Sequence, residues 1–123
     1  MTDASKTRVV DLFAGIGGFS YGFKARRFEV TGVDIHGLAA RTFRRNGIGR
    51  AVIKDLATGM YLQPAKIVLG GPPCRPWSLL NLQRRRAAHP DRRLLARYFQ
   101  HVRRIRPRLF LMENVVPLKH DSV

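Results

Sequence analysis

The chain has 123 residues, room for one domain and not comfortably for two. Its apolar fraction of 45% is that of a folded chain, and no apolar run approaches the ~18 residues of a membrane span. Against 8 acids stand 23 Lys and Arg, a net charge of +15 that favours a polyanionic partner. Of the positive residues 18 are Arg, which grips phosphate bidentately and stacks on bases. The plainer source of such a bias is a GC-rich genome. The start of the chain lacks the apolar core of a secretory signal, so a soluble, cytoplasmic protein is expected. A single cysteine, Cys74, excludes an internal disulfide framework and a multi-cysteine zinc site. His36, His89, His101 and His120 show no ligand spacing, so no metal is expected.

Five short apolar runs cover residues 8–13, 29–34, 51–55, 66–69 and 108–113. Each is β-branched or aromatic and is followed by Gly, Pro or a polar residue, as in buried strands of a parallel sheet. Between the runs lie helical patterns. Phe19 and Phe23 sit four apart, and Leu38, Ala39 and Phe43 share a face before Asn46-Gly47. From 91 to 105 an apolar stripe runs through Leu94, Leu95, Tyr98, Phe99, Val102 and Ile105, with most Arg residues off it. Pro90-Asp91 opens that helix and Pro107 closes it. Alternation of this kind predicts an α/β fold: a doubly wound, mainly parallel sheet of about five strands. Functional groups then belong at the carboxyl ends of the strands. Residues 79–89 show no periodicity and read as a mobile basic loop.

The chemistry gathers at those ends. After the first run comes Asp11-Leu12-Phe13-Ala14-Gly15-Ile16-Gly17-Gly18-Phe19-Ser20, where glycines let a cofactor approach the backbone. A dinucleotide fingerprint would place Gly where Ser20 stands. Asp34 ends the second run and suits the hydroxyls of a ribose; Asp55 ends the third and suits an adenine amino group. Taken singly, each acid reads equally well as a helix cap or a solvated turn. The fourth run leads into Gly70-Gly71-Pro72-Pro73-Cys74-Arg75-Pro76-Trp77-Ser78. A lone cysteine is usually a small core residue. Cys74 instead lies beyond a strand, between prolines that fix the loop and beside Arg75, which favours the thiolate. Glu113-Asn114-Val115 follows the fifth run, where a carboxyl group can be held protonated as an acid or can cap a helix.

These residues resemble the DNA cytosine-5 methyltransferases. Asp11 to Gly18 is similar to that family's cofactor loop, Pro73-Cys74 to its catalytic dipeptide and Glu113-Asn114-Val115 to its acidic triplet, in the same order. The resemblance implies a Rossmann-like, S-adenosylmethionine-dependent methyltransferase fold. It implies S-adenosyl-L-methionine as cofactor, held by Asp11, Phe13, Ala14, Gly15, Gly17, Gly18, Asp34, Ile35, Asp55, Leu56 and Pro72. It implies Cys74 as the nucleophile that adds to C6 of cytosine and Glu113 as the group that binds the base edge. DNA is the implied partner. Arg75, Ser78, Arg84, Arg85 and Arg86 are expected to hold it, within a stretch from Arg84 to Arg108 that carries ten arginines against one acid, Asp91.

The chain also departs from the family. Ile35 stands where an aromatic residue stacks on adenine, and only ten residues follow Glu113. Residues 1–123 are therefore expected to be the N-terminal portion of a catalytic domain, lacking a target-recognition domain and a C-terminal segment. A complementary chain carrying those parts is the expected partner, as in a split enzyme of a restriction-modification system, with a homodimer as the alternative. The competing readings are a nucleic-acid-binding remnant without catalysis and a methyltransferase acting on RNA. Hydride transfer with a nicotinamide gives no role to Pro-Pro-Cys.

Overall fold

Five strands form one parallel sheet in the computed structural model, which describes residues 4–73 and 92–114. They are β1 (Thr7–Leu12), β2 (Phe28–Asp34), β3 (Gly49–Ile53), β4 (Ile67–Gly70) and β5 (Leu109–Met112). Their spatial order is β3-β2-β1-β4-β5. Helix α1 (Gly37–Arg45) joins β2 to β3, and α2 (Arg92–Ile105) precedes β5. The register aligns Val52, Val33, Leu12, Gly70 and Met112 across the sheet, so the carboxyl ends open at one level. The order in which strands are added reverses between β1 and β4, and the crevice above them is where such sheets bind ligands.

Burial follows from that order. Strand β1 is central, and Val9, Val10, Asp11 and Leu12 are all buried. Side chains alternate between two faces. Val10, Leu12, Val33 and Val68 meet Tyr98 of α2 and Leu56 on one face. Val9, Val30 and Leu69 meet Phe43 of α1 and Ile48 on the other. Strand β5 is an edge, and Leu109, Phe110 and Leu111 keep 47%, 48% and 38% of their surfaces exposed.

Three local expectations shift. Strand β3 starts two residues earlier than its apolar run because Gly49 lies against Val30, whose carbonyl oxygen is 2.0 Å from where a Cβ would stand. It also ends earlier, at Ile53, so Asp55 lies beyond the strand. Around Phe19 and Phe23 there is one 3-10 turn, Ser20–Phe23, rather than an α-helix. Helix α2 ends through Arg106, at φ 55°, whose N–H reaches the Val102 carbonyl at 2.9 Å; Pro107 then stops it. Among the described residues no helix is long and apolar enough to cross a membrane, and no cluster of three metal-ligating side chains occurs.

Candidate active site

The turn after β1 is built on unusual backbone. Phe13 has φ 61°, a conformation costly for a residue with a Cβ, and Gly15 and Gly17 follow at 55° and 96°. Gly17 is needed for packing: a Cβ there would stand 2.3 Å from Ile48 Cδ1 and 2.8 Å from Phe43 Cδ2. Beside Gly15 the space is open. Asp34 ties this turn to the end of β2. Its Oδ2 accepts the Gly15 N–H at 2.8 Å and its Oδ1 the His36 N–H at 3.0 Å. Each oxygen keeps a second lone pair for a ligand hydroxyl.

A cavity of about 340 Å³ opens beside Asp34. Of the residues expected to hold a cofactor, Phe13, Asp34, Ile35, Asp55 and Leu56 line it. His36, Lys54, Gly71 and Pro73 join them, with Arg93 and Leu94 from the first turn of α2. Nothing in the sequence separates Leu94 from the core stripe; only the docking of α2 turns it towards the cavity. Asp11, Ala14, Gly15, Gly17, Gly18 and Pro72 lie outside the cavity wall. Ala14 packs against the α1-side core, and Pro72 is buried with its carbonyl accepting from Asn114 Nδ2 at 3.2 Å.

Asp11 is 1% exposed in the centre of the sheet. Ser20 Oγ donates to its Oδ2, while Oδ1 is buried without a hydrogen-bond partner. Burial pushes the Asp11 carboxyl up to about 6, the Ser20 hydrogen bond opposes that, and the Asp34 charge adds to it. The carboxyl group thus sits just beneath the glycine turn and keeps its proton to higher pH than a free carboxylate.

On the other side of the crevice, Glu113 follows β5. Its N–H donates to the Gly70 carbonyl at 2.9 Å, and a Cβ on Gly71 would lie 3.4 Å from Glu113 Oε2. Glu113 and Asn114 therefore both meet the Gly70–Pro72 segment that leads into Cys74. Cys74, Arg75, Ser78, Arg84, Arg85 and Arg86 lie outside the described residues.

The family pattern described as C-5 cytosine-specific DNA methylase matches residues 7–122. The chain belongs to this family. Among its relatives, the type II methyltransferase M.AplI of Arthrospira platensis is 37% identical over 112 residues, which are 90% of this chain and 32% of that protein. M.AquIA of Picosynechococcus sp. is 32% identical over 120 residues, 88% of this chain and 48% of that protein. The chain thus spans about a third to a half of the length of these two relatives. Two solved structures share the fold. The Pyrococcus abyssi tRNA (uracil-54, C5)-methyltransferase, in complex with S-adenosyl-L-homocysteine, has a TM-score of 0.62 at 20% identity over 90% of this chain and 25% of its own. A Pyrococcus horikoshii OT3 protein has a TM-score of 0.64 at 23% identity, covering 96% of this chain and 56% of its own.

In this chain, α2 does more than cover the sheet. Arg97 Nε donates to the Leu56 carbonyl at 2.9 Å and its Nη2 to the Gly59 carbonyl at 2.6 Å. One turn on, His101 is fully buried. Its Nδ1 pairs with the Arg97 carbonyl at 2.7 Å, and its Nε2 accepts the Tyr61 N–H at 3.1 Å. The second contact requires a neutral ring; burial lowers the His101 pKa, the hydrogen bond to the Arg97 carbonyl opposes that, and the Arg97 charge adds to it. The two side chains bind the 56–61 loop, whose first residue lines the cavity. Sequence reading missed both: Arg97 is one of a run of arginines, and His101 falls on the buried face of α2 between apolar residues.

The arginine-rich stretch is also divided by the fold. Arg97 donates to carbonyls of the chain itself and lines a depression with Gln100, Arg103 and Arg104. Arg93 lies at the cavity, whereas Arg103 and Arg104 lie in the last turn of α2, some 15 Å along its axis. One helix carries these residues to opposite ends of the sheet, so the stretch does not form a single surface.

Proposed function

We propose that this chain binds S-adenosyl-L-methionine in the cavity beside Asp34 and acts in methyl transfer to C5 of cytosine in DNA. The observation that carries the reading is the shared opening of the strand ends on one side of the sheet. The Asp34-bound glycine turn, the cavity and the Glu113–Gly71 contact all lie at the carboxyl ends of the strands, and Pro73, the residue before Cys74 in the chain, lines the cavity. An adenosyl group fits the donors and walls present: Asp34 for the ribose hydroxyls, Phe13, Ile35, Leu56 and Leu94 as apolar walls, and Asp55 at the rim. The bound cofactor supplies an electrophilic methyl group.

Cytosine C5 is too electron-poor to take that methyl group unaided. Cys74 sulfur bonds to C6 and turns C5 into an enamine carbon. Glu113 holds the base edge and stabilises the proton gained at N3. After transfer, loss of the C5 proton and of the thiolate restores the ring. The base must leave the duplex to reach Cys74. Arg75, Ser78 and Arg84 to Arg86 are assigned to the strand's phosphates. DNA is preferred to RNA because the relatives are type II methyltransferases.

The exposed apolar edge of β5 supports a further assignment. Leu109, Phe110 and Leu111 make a template for another strand. We assign that strand to the remainder of the catalytic domain, supplied by a complementary chain, with a second copy of this chain as the alternative. Duplex containing 5-fluorocytosine tests the chemistry, since fluorine at C5 blocks the final elimination. With the complementary segment added, wild-type protein should become covalently linked and Cys74→Ser should not. Equal trapping of both removes Cys74 from the mechanism, and robust methylation by the isolated chain removes the need for a partner.

A further inference from the structure

A parallel sheet puts every strand's amino end on one side, and here that side is basic. Lys6 and Arg8 stand at the start of β1, Arg26 and Arg27 before β2, and Arg50 at the start of β3. Lys66 precedes β4, and Arg106 and Arg108 precede β5. All but Arg8, which is half-buried, are exposed. Both crossover helices run against the strands, so their last turns arrive on the same side with Arg44, Arg45, Arg103 and Arg104. The acids are sorted the other way. Among the described residues Asp34, Asp55 and Glu113 stand at the carboxyl ends and Asp11 in the last turn of β1; only Glu29 lies near the amino ends.

Helix position accounts for part of this. Arginine in a last turn complements the helix dipole, which explains the two pairs on α1 and α2. It does not explain a cation at the entrance to all five strands, where the backbone offers no such reward. Five strands at ~4.8 Å spacing make a face about 20 Å wide, too broad for one small anion and matched to a row of phosphates. The predominance of Arg over Lys suits the bidentate geometry of phosphate oxygens.

We infer that this amino-end face is a second, sequence-independent surface for the phosphodiester backbone of duplex DNA. It lies about 20 Å from the cavity, the length of β1, and binds duplex other than that presenting the target base. The inference does not depend on the methyl-transfer reading, because it concerns phosphates and not cytosine.

The probe is a duplex of alternating dA and dT, which offers no cytosine. Acetylation of lysines with and without that duplex reports the face directly. Lys6 and Lys66 should be protected, and Lys54, at the cavity, should not. Protection of Lys54 alone overturns the inference. The variant Arg26→Gln, Arg44→Gln, Arg45→Gln, Arg104→Gln alters exposed side chains only. Its affinity for the duplex at 0.1 M salt should fall about tenfold or more, and its plot of log affinity against log salt should be shallower by about 2 to 4. An unchanged slope overturns the inference. Equal displacement of wild-type protein by polyglutamate and by duplex also overturns it, and assigns the face to an acidic polypeptide.

Discussion

Gly70→Ala should unfold this domain more readily than its chemistry suggests. Gly70 ends β4, and a Cβ there would stand 2.1 Å from Tyr98 Cε2 and 2.5 Å from Cδ2. Carbon atoms pack at about 3.5–4.0 Å, so the ring must retreat by more than about 1 Å. Tyr98 has no room to do so: it is fully buried, and its hydroxyl donates to the Leu111 carbonyl at 2.8 Å. Overpacking of this kind costs about 1–3 kcal/mol, and losing the hydroxyl's partner adds about 1 kcal/mol. A total near 3 kcal/mol lowers the Tm of a domain this size by roughly 10 °C. Gly71→Ala is the matched control, because its Cβ meets only Glu113 Oε2 at 3.4 Å. It should melt within about 2 °C of wild type. Thermal and urea unfolding compare the two, and adding Tyr98→Leu to Gly70→Ala should recover part of the loss. If Gly70→Ala melts with wild type, the contact between β4 and α2 is not as tight as argued.

Asp34→Ala removes the acceptor of two backbone N–H groups and the proposed ribose ligand, and calorimetry should show S-adenosyl-L-homocysteine binding weakened at least about tenfold. Asp11, raised from 3.8 to about 6, binds its proton more tightly folded than unfolded. The stability it contributes is complete below about pH 4 and is lost as pH rises through 6, by about 3 kcal/mol. His101, whose pKa is lowered, acts in the opposite sense, stabilising above its ordinary range and less as pH falls. The informative quantity is therefore the wild-type urea stability minus that of Asp11→Asn between pH 4 and 7; a flat difference contradicts the raised carboxyl. Arg97→Met should cost about 2 kcal/mol by freeing the Leu56 and Gly59 carbonyls, while leaving the salt slope of DNA binding unchanged. A slope shallower by about 1 would return Arg97 to the phosphates.

The strands were legible because each central one is buried on both faces and needs a continuous apolar run, as Val9-Val10 and Val68-Leu69 show. The glycine turn, Asp34 and Glu113 were legible because a parallel sheet sends every strand end to one crevice, so residue type at the end of a run already implies place. What happens away from the strands needed the fold. Leu94 and Leu95 are adjacent in the stripe, yet one lines the cavity and the other is core, because the docking angle of α2 decides which way each points. Arg97 and Arg104 are chemically alike and seven residues apart, yet one ends on loop carbonyls and the other on the far basic face. Local sequence sets which residues form a strand or helix through hydrophobic period and turn chemistry. The partner of a long polar side chain depends on what the rest of the chain brings within reach, and only the closed tertiary structure settles that.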